Sequence, residues 1–262
     1  MDQTYWFKQS PGKPLFPELE WSKPENKRHA CKLLIIGGNL HGFAAPATAY
    51  NEAEKAGIGT ARVLLPDAIH KLVGAFLPEA TYGPSTPSGS FGQRSLADWL
   101  EQATWADGVL LAGDMGRNSE TAIIIEAFLQ KYSGSLTLTH DAVDYVTNNS
   151  VHALARSNTA LVLSFAQLQK LAINAKFTTA FTFDMDFLRL VDALHVFTTQ
   201  HSVYIVTKHL DNLFVAANGQ VSTTKLAQDI EVWRTITAAK ATVWWLQHQN
   251  KPFEALTTAL VA

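Results

Sequence analysis

The chain has one cysteine, Cys31, so no disulfide can close within it and no cysteine-built zinc site is available. Such sparse use of cysteine fits a reducing cytoplasm, the expected location. Charge is scarce too: Lys and Arg number 21 against 23 Asp and Glu, 17 % of residues are charged, and the net charge is -2. No basic stripe is present, which argues against nucleic acid as a partner. No apolar run approaches the ~20 residues that a membrane helix needs, so no membrane partner is expected. Asp2, Lys8 and Pro11 break up the N-terminus, unlike the apolar core of a secretory signal. A metal-binding histidine pair, a nucleophile elbow and a Walker-type loop are all missing, and no metal ligand set is expected. Against these absences, 47 % of the residues are hydrophobic, ample for a large core.

The chain is organised around Val109–Glu126. Val109-Leu110-Leu111-Ala112 is an apolar strand, Gly113–Asn118 a glycine turn, and Ser119 starts a helix that Asn118 or Ser119 can cap. Gly113 and Gly116 let the backbone come close to a ligand, and a helix N-terminus offers free N–H groups to an anion. An ordinary turn that binds nothing has the same features. Further strands are expected at 32–36, 61–65, 135–139, 159–163 and 202–207, with helices at 44–56, 95–106, 166–175, 187–199 and 229–249 between or after them. Asn218-Gly219 joins two short strands as a C-terminal β-hairpin. Residues 78–93, rich in glycine and proline, read as a loop without helix or central strand, either a lid or a surface excursion. Alternating strands and helices predict a mostly parallel, doubly wound α/β sheet. Residues 1–30 read as an irregular arm packing Trp6, Phe16 and Trp21 on a single domain spanning 31–262. Ligands in such sheets sit at the strand carboxyl ends, here Gly37–Gly42, Gly113–Arg117, Thr139–Asp141 and Ser164–Gln167.

Taken together, Gly37-Gly38-Asn39-Leu40-His41-Gly42 before an alanine-rich helix, Gly113-Asp114-Met115-Gly116-Arg117 after a strand, and Leu136–Ala142 with its Asp141 resemble the ribokinase-like superfamily. Within it, the resemblance is to the ADP/ATP-dependent NAD(P)H-hydrate dehydratase (carbohydrate kinase-like) family. The resemblance covers about residues 32 to 250. It implies a ribokinase-like three-layer sandwich. It also implies a substrate-facing loop at Gly38, Asn39, His41 and Gly42 together with Asp141, and a nucleotide side at Gly113, Asp114, Gly116, Arg117 and Lys208. ADP or ATP with magnesium would be the cofactors, a small-molecule nucleotide the partner, and a homo-oligomer the assembly.

Several positions depart from that pattern. Ser164 and Gln167 stand where the family has histidine and glutamate, and His209 stands in place of a glycine. The family's glycine-rich anion hole with its catalytic aspartate falls on Ala227–Trp233, which holds no glycine. Asp229 and Glu231 are the catalytic candidates there, although acids at a helix start also suit the helix dipole without catalysis. His41 either touches substrate or makes a structural hydrogen bond. Asp141 either serves a metal-linked phosphate or caps the following helix, and Arg117 either pairs with phosphate or lies on the surface. Trp244 and Trp245 read as core or subunit packing. The leading expectation is a nucleotide- or dinucleotide-binding protein with weak or absent turnover. The alternatives are an active dehydratase or small-molecule kinase, and a non-catalytic structural or assembly protein.

Overall fold

The structure, a computed structural model, describes residues 4–24, 26, 27, 30–73, 77, 80–226 and 233–262. The strands are β1 (Trp6–Gln9), β2 (Lys32–Gly37), β3 (Thr60–Pro66), β4 (Ala80–Gly83), β5 (Gly108–Gly113), β6 (Ser135–Thr139), β7 (Thr159–Leu163), β8 (Val203–His209), β9 (Asn212–Ala217) and β10 (Gln220–Lys225). The α-helices are α1 (Glu18–Trp21), α2 (Ala44–Lys55), α3 (His70–Val73), α4 (Leu96–Trp105), α5 (Ser119–Lys131), α6 (Asp141–Asn148), α7 (Ser150–Ala155), α8 (Phe165–Asn174), α9 (Phe187–Gln200), α10 (Trp233–Gln247) and α11 (Pro252–Thr258).

One sheet runs in the order β1-β10-β9-β8-β7-β6-β5-β2-β3-β4. It is parallel from β8 through β4 and antiparallel across β8-β9-β10. The central strands are continuous apolar runs because both faces are covered. Successive side chains point to opposite faces. Leu34 and Ile36 therefore join the core under α4–α9, while Leu33 and Ile35 join the core under α2, α10 and α11. This is the three-layer α/β sandwich expected from the sequence. Ala49 and Ala53 of α2 and Ala238 and Ala241 of α10 are fully buried, and side chains this small let the two helices pack closely. The Asn218-Gly219 turn has positive φ at both residues, +51° and +78°, as a tight hairpin requires.

The sequence reading needs correction at both sheet edges. Residues 6–9 are not irregular: β1 pairs in parallel with β10 from Trp6↔Val221 to Gln9↔Thr224. Trp6 and Phe16 are half-buried, but Trp21 is 89 % exposed and does not pack on the body. The 78–93 stretch includes an edge strand, β4, paired with β3. Its described residues after β4 are tied down at two points. Leu40 N–H donates to Gly89 O at 2.9 Å, and Asn118 Nδ2 donates to Ser88 Oγ at 2.9 Å.

Candidate functional site

The carboxyl ends of β2, β5 and β6 meet with little room between chains. Gly38 N–H donates to Gly113 O at 3.0 Å. A Cβ on Gly37 would lie 2.5 Å from that same oxygen, and one on Gly113, at φ +106°, would lie 2.5 Å from His140 Cβ. A Cβ on Gly116 would stand 2.8 Å from Ser90 Oγ. Chain packing therefore requires these glycines, whatever binds above them.

The polar residues of the two glycine motifs hold each other. Asn39 Nδ2 donates to Asp114 O at 2.6 Å, and its Oδ1 accepts from His41 N–H at 2.7 Å. Asp114 sits at φ +56°, and its Oδ2 accepts from Ala45 N–H at 2.8 Å. Phe43, the N-cap residue of α2, offers no side-chain acceptor, so the Asp114 carboxylate caps that helix from across the sheet and meets its positive end. Gly42 faces the same carboxylate, its hypothetical Cβ being 3.9 Å from Asp114 Oδ2.

Asp141 opens α6. Its Oδ2 accepts from Gly116 N–H at 3.2 Å, while Oδ1 is buried and meets no hydrogen-bond partner among the described residues. Burial pushes its carboxyl above the usual range, the Asp114 charge adds to this, and the N–H dipoles of Met115 and Gly116 oppose it. The preceding residue, His140, has φ +53° and ψ -135°, a conformation rare outside glycine that persists only where surroundings enforce it. Its Nε2 lies 2.6 Å from Thr235 Oγ1 in the first turn of α10. Burial, and then the neighbouring Arg234 charge, lower the His140 pKa.

Gln167 is the hub of this network. Its Nε2 donates to His140 O at 2.8 Å and to Asp144 Oδ1 at 3.0 Å. Its Oε1 accepts from Ser164 N–H at 3.0 Å and from Arg234 Nη1 at 3.3 Å. Ser164 and Gln167 also form the capping box of α8. Burial pulls the Arg234 pKa down, and the Asp144 and Asp141 charges oppose this.

A cleft of about 370 Å³ opens beside this network. Gly116, Arg117, Asn118 and Ser119 line one side, and Asp141, Asp144, Tyr145 and Asn148 the other. Tyr145 O–H donates to Gly116 O and accepts from Asn118 N–H, which ties the two walls together. Asn118, the N-cap of α5, accepts from Glu120 N–H at 2.8 Å.

The structure thus brings Gly38, Asn39, Gly42, Gly113, Asp114, Gly116 and Asp141 together. Arg117 lies exposed on the cleft wall, and the His41 residue is exposed. Lys208, half-buried near the end of β8, does not line the cleft. Asp229 and Glu231 lie outside the described residues. Among the described residues no cluster of three or more His, Cys, Asp or Glu side chains is placed to hold a metal ion. No helix among them is long and apolar enough to cross a membrane. The sequence reading missed Asp144, Tyr145 and Asn148 as wall residues, although they follow Asp141 at i+3, i+4 and i+7, the spacing of one helix face. It also missed Arg234 and Thr235, which no local pattern marks.

No protein-family model and no curated protein matches the chain. Solved structures do. A ribokinase-like superfamily protein of Enterococcus faecalis superposes with TM-score 0.74 at 14 % identity, covering 100 % of this chain and 87 % of that one. The ADP/ATP-dependent NAD(P)H-hydrate dehydratase of Bacillus subtilis, co-crystallised with ATP and magnesium and soaked with CoA, gives 0.62 at 13 % identity, with 95 % and 86 % covered. Phosphomethylpyrimidine kinase of Clostridium difficile gives 0.54 at 7 % identity, with 87 % and 98 % covered. Layer order, sheet topology and these superpositions agree: the chain has the ribokinase-like α/β fold.

Proposed function

We propose that this protein binds a small-molecule nucleotide or dinucleotide in the cleft between α5 and α6 and turns it over weakly or not at all. The observation that carries this reading is Gln167. It sits at the carboxyl end of the sheet, bonded to His140, Asp144, Ser164 and Arg234 at once. A neutral amide cannot take or give a proton in the working pH range, so the best-connected side chain of the site is no general acid or base. Arg117 and the α5 N-terminus offer a positive end for a phosphate. Asn148 and Asp144 offer hydrogen-bonding partners for hydroxyl or amide groups, and the Tyr145 ring offers an apolar wall. ATP is the first ligand to try because the Bacillus subtilis structure of the same fold was grown with it. A magnesium ion would arrive with that ligand's phosphates, since magnesium is usually held by substrate phosphates and one or two carboxylates.

Calorimetry with ADP, ATP and nicotinamide nucleotides tests binding. Arg117→Ala should weaken a phosphorylated ligand by about tenfold or more, the worth of one charge-assisted hydrogen bond. Binding of none of these ligands, or unchanged affinity in the variant, refutes the reading. For turnover, hydrated NADH is supplied with ADP or ATP to wild type, Asp229→Asn and Glu231→Gln. Robust turnover abolished by either substitution would make this an active dehydratase.

A further inference from the structure

His209, the last residue of β8, is a titratable side chain that the strand-end cleft does not use. It is 6 % exposed. Its Nε2 is buried and meets no hydrogen-bond partner among the described residues, which leaves Nδ1 to bond to the Met185 main chain. The ring lies on Phe165 with centroids 4.4 Å apart, and Phe183 packs on Phe165 at 5.1 Å.

Met185 belongs to the connection between α8 and α9. From Thr178 to Asp186 only Phe181 is buried and Met185 half-buried, and the rest is exposed. The connection is held at Phe181, whose carbonyl accepts from Gln169 Nε2 at 2.7 Å and whose ring packs against Phe177 and Phe197. It is held again at Met185, through His209. A neutral imidazole suits this place. A proton on Nε2 would be charged, buried and without an acceptor, which is costly. Burial lowers the His209 pKa, and the Met185 main chain opposes this. The elements around it carry Lys208 on β8, Asp211 in the β8–β9 turn, Asp184 and Asp186 on the connection, and Arg189 and Asp192 on α9, while α8 faces it with Phe165. None of those charges offsets the burial.

We infer that residues 178–186 are an acid-released cover over the carboxyl end of β8, latched by neutral His209 and freed when that ring takes a proton. Opening uncovers Phe165, the residue after Ser164, and so reaches the edge of the network around Gln167. The latch does not depend on what the cleft binds. The closed cover excludes a proton that the open one accepts, and a freely solvated imidazole titrates near pH ~6.5. The closed state therefore has its full stability above that pH and loses it as pH falls below, the opening constant rising by up to about tenfold per pH unit.

Hydrogen–deuterium exchange on the full chain tests this, read over 177–187 and over 159–163 in β7 at pH ~7.5 and pH ~5. After correction for the intrinsic pH dependence of exchange, protection over 177–187 should fall about tenfold or more at the lower pH while 159–163 holds. His209→Phe keeps an aromatic ring and cannot take a proton, so its protection should not change in this way. His201→Gln replaces the histidine that follows α9 and should keep the wild-type response. An NMR titration of the wild-type imidazoles needs no variant: His209, assigned through its contact with the Phe165 ring, should titrate below pH ~6.5. An equal fall over 159–163, an equal fall in His209→Phe, no fall in wild type, loss of the fall in His201→Gln, or a His209 that titrates at or above pH ~6.5 overturns the inference.

Discussion

Replacing Gln167 by glutamate tests the site most directly, because it changes one atom's chemistry and little of its shape. Gln167 is 5 % exposed. The substitution keeps the acceptor toward Ser164 N–H and Arg234, and glutamate preserves the α8 capping box. It removes the donor that reaches His140 O at 2.8 Å and Asp144 Oδ1 at 3.0 Å. The His140 carbonyl then loses a partner in a part-buried position, which costs about 1–3 kcal/mol. Two carboxylates also face each other, worth up to ~4 kcal/mol at an effective dielectric of about 20. Arg234, 3.3 Å from Oε1, offsets much of that repulsion. The expected net loss near neutral pH is about 2–3 kcal/mol, or a melting temperature lower by roughly 4–12 °C for a chain of this size.

The pH dependence separates this account from a plain packing defect. A protonated glutamic acid at 167 could donate to His140 O or Asp144, so the folded state holds that proton more tightly than an unfolded chain, whose glutamate titrates near ~4.3. A folded pKa raised in this way gives stability that is present below the unfolded pKa and lost as pH rises through the folded one. The variant should therefore match wild type near pH ~4 and fall behind steadily toward pH ~8. Urea and thermal melts of both proteins across that range provide the measurement. A difference that stays constant with pH, or no loss at neutral pH, would refute the proposed donor role of Gln167.

Three further outcomes follow from the same geometry. Asp114→Ala should cost about 1–2 kcal/mol by uncapping α2, while Asp114→Asn, which keeps an acceptor for Ala45 N–H, should cost less; urea melts that rank them the other way would argue against the cap. Gly113→Ala should cost at least ~2 kcal/mol, since it adds a Cβ 2.5 Å from His140 Cβ at φ +106°, and a melting temperature equal to wild type would contradict the packing described. The Asp141 carboxyl lies above its usual range because it is buried, so wild type loses stability as pH rises through that folded pKa. Asp141→Asn lacks this loss, and the stability difference should move in its favour between pH ~4 and ~7; a flat difference would count against the burial argument.

Much of the fold was legible because its signals are local. Apolar runs at 33–36, 109–112 and 160–163, buried on both faces, read as central strands between helical stretches. Asn218-Gly219 dictates its own turn. The edge strands were not legible for the opposite reason. Trp6–Gln9 and Ala80–Gly83 are short, mixed in polarity and set among prolines, and only pairing with β10 and β3 makes them strands. Trp21 shows the limit of composition as a guide: an aromatic residue in the N-terminal arm read as packed, yet it stands 89 % exposed at the end of α1.

The site divides along the same line. Gly113 and Gly116 read as places where the backbone comes close to a ligand; the atoms that lie against them in the structure are His140 Cβ and Ser90 Oγ, and Gly113 O lies against Gly37. Such glycines would persist in any chain that keeps this sheet, so they say little about a ligand. More telling are the polar side chains placed on the cleft walls. Asp144 is exposed and Asn148 ends the α6 face that begins at Asp141. An Asp, a Tyr and an Asn on that face line the cleft beside Arg117, and Asp144 and Tyr145 also hold Gln167 and Gly116 in place. Arg234 and Thr235, far along the chain at the start of α10, join the same network through Gln167 and His140. No sequence window contains them together, because only the return of α10 to the ends of β5, β6 and β7 makes them neighbours.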